Sequence, residues 1–308
     1  MPRDRRKLIS QGQGSYHLIS RISRDRAMFD DQEKEYLYNL LTVFASGFYV
    51  KIHAFCIMGN HFHIMATGLD QEAKEASKDE LLCRYKLMYG EKAKPPTGSA
   101  KTYGYFQPDE DGGVERLRKR LGSISRFVQE LKQTFSVWYN RRHDLKGHVW
   151  HDRFKGIILD KGEAQLVCSA YIDLNPLRAN IVKRPEDYRW SSLGLWVRNP
   201  KYANQHVSYC ESNFSWYREF VYVSGGVERE GKGKIALETV DDVLKKNGEL
   251  GIKDSLKYRI KNLSEGIAIG SHSFISEIQK RYNRKYIRPR AFMKTKVLFT
   301  TRVLRLKC

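Results

Sequence analysis

The sequence predicts an α+β fold in which an antiparallel sheet is sandwiched by helices. Residues 16–21 (YHLISR), 48–58 (FYVKIHAFCIM) and 61–66 (HFHIMA) show the alternation that is typical of half-buried strands. Residues 32–45 and 123–142 instead carry apolar side chains at helical spacing. The order of these elements along the chain favours an antiparallel sheet covered by helices.

The remaining elements of the amino-terminal part follow from turn signals. Gly59-Asn60 predicts a hairpin turn between the two central strands. A turn and then a strand are expected within 147–159. A helix is expected at 163–174, because Asn175-Pro176 disfavours helical backbone before the proline.

Two further features concern the organisation of the chain. Residues 70–112 are polar and rich in turn residues, so we interpret them as an insertion with one helix near 80–89 and a long loop. The pattern changes near residue 200, which predicts a first domain of residues 1–200 and a basic, mostly helical region of residues 201–308. Segments of this second region between 253 and 283 could form a helix-turn-helix or a helical cap.

The 308-residue chain is strongly basic, with a formal net charge of +20 and a pI of about 9.7. The excess charge falls in two stretches, 116–155 and 253–308. A protein with this charge usually meets a polyanion, so we expect nucleic acid as the partner. Two separate basic surfaces could each hold a different part of it.

The five cysteines form no CxxC pair, which indicates a reducing compartment and argues against a disulfide framework or a zinc ribbon. No apolar run is long enough to cross a membrane, and the first residues lack an apolar signal core. We therefore expect a cytoplasmic, nucleoid-associated protein with no membrane partner.

His61 and His63 are the first candidate site residues. Side chains two apart on a strand point to one face, so the two imidazoles should converge while Phe62 faces the core. Neutral imidazoles so placed can bind one divalent cation, with a third ligand from another element. A pair of surface histidines on an exposed strand face is the plainer interpretation.

Tyr171 and Asn175 are the second candidate pair. Residues four apart on a helix share a face. An asparagine oxygen can ligate a hard cation. A phenol becomes a useful nucleophile when a nearby cation stabilises the phenolate. By itself the pair is weak evidence, because such a tyrosine usually packs and an asparagine before proline usually ends a helix.

Taken together, these motifs resemble the HUH single-strand endonucleases, and more narrowly the REP-associated branch of the single-tyrosine transposases. The matching text includes YHLISR, MGNHFHIM (58–65), WYNRRHDLKGHVWHDRFKGIIL (138–159) and YIDLNPLRANIVKRPEDYRWSS (171–192). The matches span about residues 15–195, and the last stretch is the most specific. Residues 266–275 resemble a carboxy-terminal segment of the longer members.

The resemblance implies a ferredoxin- or RRM-like HUH fold and a transposase activity on single-stranded, hairpin or repeat DNA. It implies that Mg²⁺ or Mn²⁺ is held by His61, His63 and Asn175, and that Tyr171 forms a 5′-phosphotyrosine. Tyr139 is a rival nucleophile, but the family motif favours Tyr171. A homodimer remains open. Candidate DNA contacts are the basic residues Arg126, Arg141, Arg142, Arg153, Lys155, Arg281, Arg284 and Lys285.

Three other interpretations stay open at this point. A domesticated, non-catalytic DNA-binding protein would have the same fold and charge. An RNA-binding protein would also suit the charge and the aromatic residues. A zinc hydrolase would use His53 and Cys56 with His61 and His63, but strict alternation puts Cys56 on the face opposite His53.

Overall fold

The structure is a computed structural model, and it describes residues 14–23, 28–90, 112–160, 162–199 and 214–250, with the backbone of 268–270, 286–293 and 301–306. The chain divides into two compact units, Met1–Ile172 and Asp173–Cys308. The boundary predicted near residue 200 lies inside the second unit, and a functional domain boundary there stays a prediction.

The first unit is built on a four-stranded antiparallel sheet, which confirms the predicted fold class. Its strands are β1 (Ser15–Arg21), β2 (Val50–Ile57), β3 (His61–Gly68) and β4 (Lys155–Leu159), in the order β2-β3-β1-β4. The predicted hairpin is the β2–β3 pair, which turns at Gly59-Asn60. β4 is shorter than the predicted segment, since residues 147–154 hold one isolated bridge, Ile22 to Trp150.

Six helices of the first unit have defined bounds. They are α1 (Asp31–Gly47), α2 (Asp70–Glu75), α3 (Lys78–Tyr89), α4 (Gly113–Leu121), α5 (Ile124–Arg142) and α6 (Glu163–Asp173), whose last residue falls across the unit boundary. A capping box begins α1, because Asp30 accepts from the Glu33 amide at 2.8 Å while Glu33 accepts from the Asp30 amide at 2.7 Å.

The two faces of the sheet meet different helices. Phe62 is buried and packs on Trp150, with ring centroids 5.4 Å apart, and Trp150 in turn contacts Phe135 of α5 at 5.5 Å. On the opposite face, Gln165 of α6 donates to the Ser15 hydroxyl at 2.7 Å. The sheet therefore lies between an aromatic core and α6.

The first part of the 70–112 segment is more regular than the sequence analysis expected. It forms α2 and α3, while residues 91–111, where the long loop was expected, lie outside the described residues. Glu130 of α5 anchors this helical layer. It pairs with Arg120 at 2.7 Å and accepts from the Tyr89 hydroxyl at 2.5 Å. The segment is thus packed onto the sheet domain, not appended to it.

The second unit contains four helices and a 3₁₀ turn among its described residues. They are α7 (Asn175–Arg178), the 3₁₀ turn Pro185–Asp187, α8 (Ser192–Arg198), α9 (Phe214–Gly226) and α10 (Leu237–Lys245). Two buried carboxylates organise it. Asp173 accepts from Ser192, Leu193 and Tyr217, and Glu186 pairs with Arg218 at 2.6 Å.

A three-stranded antiparallel sheet lies near the carboxy terminus and was not anticipated. Its strands are β5 (Ala268–Gly270), β6 (Tyr286–Met293) and β7 (Thr301–Leu306), in the order β5-β7-β6. β5 occupies part of the segment that was considered for a helix-turn-helix, so that part of the prediction is wrong. Segments 253–261 and 273–283 lie outside the described residues.

None of the helices in the described ranges is long and apolar enough to span a membrane.

Candidate active site

The structure places His61 and His63 on one face of β3, as the sequence predicted. Phe62 between them points to the other face, where it is 1% exposed. The two imidazole rings lie nearly perpendicular, with centroids 4.9 Å apart. Both rings are largely enclosed, so the plainer interpretation of two exposed surface histidines is wrong for His63, which is 4% exposed.

β1 brings two further residues to this face that the sequence analysis did not select. In the β1–β3 ladder, Arg21 lies opposite His61 and Ile19 lies opposite His63. His17, two residues before Ile19, therefore sits diagonally across from His63 on the same face. The alternation within YHLISR was a usable signal, because it already puts His17 and Arg21 on one face.

Hydrogen bonds fix one ring nitrogen of each candidate ligand. Nδ1 of His61 lies 2.6 Å from the Oδ1 atom of Asn60. An amide oxygen only accepts, so His61 carries its proton on Nδ1 and has a lone pair on Nε2. Nδ1 of His63 lies 2.9 Å from Nε2 of His17. The part of the chain that the structure describes shows no partner for Nε2 of either His61 or His63.

The three imidazoles are neutral at physiological pH. Burial lowers the pKa of His61 to about 4, with a smaller contribution from the charge of Arg21. Burial lowers the pKa of His63 to about 3, and the neighbouring His61, His17 and Arg21 act in the same direction. Burial and Lys155 lower the pKa of His17 to about 4. Neutral rings keep the lone pairs that a cation needs.

Tyr171 of α6 lies against this histidine cluster. Its ring is 5.7 Å from that of His63 and 5.8 Å from that of His17, both edge to face. The side chain is 48% exposed, so a substrate can approach the phenol. Tyr139, the rival nucleophile, is 1% exposed and packs on Phe135 and His143. The geometry therefore favours Tyr171.

Asn175 follows Tyr171 by four residues but is not on the same helix. α6 ends at Asp173, and Asn175 begins α7 in the second unit. Pro176 explains the break, since it has no N–H to continue the helical hydrogen bonds. The assumption of one continuous helix is wrong, and a ligand role for Asn175 stays a prediction.

The donor set fits a divalent cation only in part. Two neutral imidazole nitrogens on one rigid strand suit Mn²⁺ and are acceptable to Mg²⁺ with oxygen ligands beside them. Among the described residues, no group of three or more His, Cys, Asp or Glu side chains is arranged to hold a metal ion. His61 and His63 would therefore need a further ligand of another type, such as an amide, substrate or water oxygen.

The sequence analysis placed His53 and Cys56 on opposite faces of the sheet. This was wrong, because β2 contains a bulge. The β2–β3 register shifts between Ile52 and Ala54, and Cys56 pairs directly with His63. His53 hydrogen-bonds Thr67 at 2.7 Å, so it and Cys56 lie on the same face. Nε2 of His53 is hydrogen-bonded to the Thr67 hydroxyl, and the Cys56 thiol donates to the Met58 sulfur at 3.5 Å.

Lys155 is the candidate DNA contact that strand pairing places on the sheet with the histidines, and Arg153 lies just before its strand. Lys155 begins β4 opposite Ile19, and its side chain is exposed on the face of His17 and His63. Arg153 is exposed two residues earlier. Lys155 and Arg21 therefore put positive charge on the face of the sheet that carries the histidines.

The other candidate DNA contacts differ in exposure and in the partners that they already have. Arg142 is held by Asp30 at 2.8 Å and by Glu33, so it would have to leave an ion pair to meet a phosphate. Arg141 is exposed, and Arg126 is half-buried and contacts Gln129. The remaining three, Arg281, Arg284 and Lys285, lie outside the described residues.

The aromatic residues of α5 are used in packing. Phe127 is fully buried and Tyr139 nearly so. Trp138 stacks on Tyr36, with ring centroids 4.0 Å apart. These side chains support the fold of the sheet domain.

A protein-family model matches the part of the chain that carries His61 and His63. Residues 10–73 match the family model described as "Transposase IS200 like". The match contains β1, the β2–β3 hairpin and both histidines of β3, and it ends before α6. The match confirms, over residues 10–73, the resemblance to a transposase family that the motifs indicated.

A solved structure described as "Structure of the REP associates tyrosine transposase bound to a REP hairpin" is also similar. It shares 16% identity and a TM-score of 0.40, over 64% of this chain and 86% of that chain. A comparison with curated proteins gave no match.

Proposed function

We propose that the chain is a metal-dependent single-strand DNA endonuclease and strand transferase that acts through Tyr171. The observation that carries the proposal is the contact of the half-exposed Tyr171 ring with His63 and His17. Nearly half of the Tyr171 side chain is exposed, and the Nδ1 atoms of His61 and His63 both lie within hydrogen-bond distance of a partner, which leaves each Nε2 atom as the candidate for a cation.

In the proposed step, the Tyr171 oxygen attacks the scissile phosphorus in line with the leaving 3′ oxygen. A phosphorus–oxygen bond to tyrosine forms, and the phosphorus–O3′ bond breaks. The phenol proton passes to solvent, and the 3′ oxygen gains a proton. The products are a 5′-phosphotyrosine and a free 3′-OH. Because a phosphodiester is conserved, another 3′-OH can reverse the step and join two strands.

Nε2 of His61 and of His63 would hold the cation, with Asn175 as the proposed third ligand. When bound, Mg²⁺ or Mn²⁺ would polarise the scissile phosphate and favour the phenolate. Asn60 holds the His61 ring through its Nδ1–H, so the ligating nitrogen is oriented before metal or DNA arrives.

The proposed substrate is single-stranded or hairpin DNA. Arg21 and Lys155 lie in strand register on the face that carries the histidines, and both side chains are exposed. Their charges would position the two phosphates that flank the scissile bond. The resemblance to single-tyrosine transposases, not the charge, selects single strands over RNA or duplex DNA. A homodimer stays a prediction.

The experiment is a search for a covalent adduct. The protein is incubated with a labelled single-stranded DNA hairpin library and Mn²⁺, denatured in SDS and separated by electrophoresis. An adduct in wild type that vanishes in Tyr171→Phe supports the proposal. Tyr139→Phe is the matched control, because Tyr139 is buried in the core and should leave the adduct in place.

Two results would contradict the proposal. An adduct that persists in Tyr171→Phe removes the assignment of the nucleophile. Tight DNA binding by wild type with no adduct, across metals and sequences, favours the domesticated DNA-binding protein.

A further inference from the structure

We propose that His17 is a positioning residue that holds His63 in the one tautomer able to bind the metal. This inference rests on the proposed function, since it concerns a ligand of the same site. The β1–β3 register sets the two residues diagonally across the ladder. Their rings are stacked with centroids 5.0 Å apart, and Nε2 of His17 lies 2.9 Å from Nδ1 of His63. Both residues are buried.

The hydrogen bond between two imidazoles has only two forms when both rings are neutral. If His17 donates, Nδ1 of His63 is the acceptor and the His63 proton sits on Nε2. That atom then has no lone pair for a metal. If His63 donates from Nδ1, its Nε2 carries the lone pair. Metal binding by His63 Nε2 therefore requires that His17 be the acceptor, with its own proton on Nδ1.

The two proposed ligands thus differ in how their tautomers are set. For His61 the partner is the side-chain oxygen of Asn60, which can only accept, so the ligating tautomer is fixed. For His63 the partner is another histidine, which can accept or donate. Hydrogen-bond partners of this kind orient metal ligands and raise their basicity. His17 therefore decides whether His63 is ready to bind.

The packing of His17 shapes the design of the test. Its ring also meets Tyr171 edge to face at 5.8 Å, so a small replacement would leave a gap beneath the nucleophile. His17→Phe keeps an aromatic ring but removes the acceptor. His17→Gln supplies an amide oxygen that can accept from His63 Nδ1. Neither variant has a small side chain, and only His17→Gln keeps an acceptor for Nδ1 of His63.

The experiment measures Mn²⁺ binding to the full-length protein without DNA, by electron paramagnetic resonance titration. We expect His17→Phe to bind Mn²⁺ about 10–100-fold more weakly than wild type, as for lost partners of other metal-ligating histidines. We expect His17→Gln to stay within about threefold of wild type. His53→Gln is the matched control, because His53 is a buried histidine of the same sheet bonded to Thr67, and it should not change the affinity.

A second measurement uses the wild type, so it does not require that a variant folds. Long-range ¹H–¹⁵N spectra of the metal-free wild type report which nitrogen of His63 carries the proton. A proton on Nδ1 supports the proposal, and a proton on Nε2 overturns it. Equal Mn²⁺ affinity in His17→Phe and wild type also overturns it, as does an equal loss in His17→Phe and His17→Gln.

His63→Ala separates this proposal from the proposed function. If wild type and His63→Ala bind Mn²⁺ equally, or if wild type binds none, the metal site itself is wrong and both proposals fail. If His63→Ala loses binding while His17→Phe keeps it, only the role of His17 is wrong.

Discussion

Arg21 lies directly opposite His61 in the β1–β3 ladder, at the edge of the histidine face. After burial, its positive charge is a further cause of the lowered pKa of both His61 and His63. Its side chain is exposed, as is that of Lys155. This register makes Arg21 a candidate contact for a phosphate near the proposed cleavage position.

The first prediction concerns Arg21→Gln. In the Tyr171→Phe background, the variant should bind single-stranded DNA more weakly, and the slope of log affinity against log salt should fall by about one, because one phosphate contact is lost. Fluorescence anisotropy titrations over a range of salt concentrations would measure this. Lys74→Gln is the control, since Lys74 pairs with Asp70 on α2. An unchanged slope for Arg21→Gln would contradict the assignment.

The second prediction concerns Asn60, which holds His61. Asn60→Leu removes the acceptor of the 2.6 Å hydrogen bond, so Mn²⁺ affinity should fall about tenfold or more. Asn60→Asp keeps an acceptor and should retain most of the affinity. Titration with Mn²⁺ in the absence of DNA separates the two. Identical affinities for the Leu and Asp variants would mean that this hydrogen bond does not orient the ligand.

The third prediction concerns Asn175 as the further ligand. Asn175→Ala should weaken Mn²⁺ binding about tenfold, whereas Asn175→Asp should keep or strengthen it, because a carboxylate oxygen also suits a hard cation. Thermal unfolding without metal is the control, because Asn175 begins α7 and could also affect the fold. If Asn175→Ala folds and binds Mn²⁺ like wild type, the third ligand lies elsewhere.

The fourth prediction concerns the buried carboxyl of Asp173 and pH. Burial raises its pKa from 3.8 to about 6, although three hydrogen bonds act in the opposite direction. A carboxyl with a raised pKa binds its proton more tightly in the folded state. Its contribution to stability is therefore largest below about pH 4 and is lost as the pH rises through about 6.

Urea unfolding of wild type and Asp173→Asn at several pH values from 4 to 7 would test this. The free energy of unfolding of wild type relative to the variant should fall by about 3 kcal/mol over that range, because Asn does not titrate. Tryptophan fluorescence follows the unfolding, and Trp196, which is buried against Tyr217 in the unit that contains Asp173, contributes to it with the four other tryptophans. A difference that stays constant from pH 4 to 7 would show that the pKa of Asp173 is not raised.

Much of the fold of the first unit could be predicted because its signals are local. Alternation placed β1, β2 and β3, helical spacing placed α1 and α5, and Pro176 ended α6. The helix expected near 80–89 is confirmed as α3, whereas α2 was missed, because the polar composition of its residues suggested a loop where packing onto α4 supports a helix. The carboxy-terminal sheet was missed because its segments lack clear alternation.

For the site, the sequence determined what depends on periods within one element. The period of two put His61 and His63 on one face with Phe62 behind them, and the Tyr171 motif identified the nucleophile to be tested. Only the tertiary structure decided what depends on pairing between strands. The β2 bulge placed His53 and Cys56 on the same face of the sheet. The β1–β3 register placed His17 near His63 and Arg21 opposite His61. Register is set by hydrogen bonds and packing across the sheet, so no local pattern could supply it.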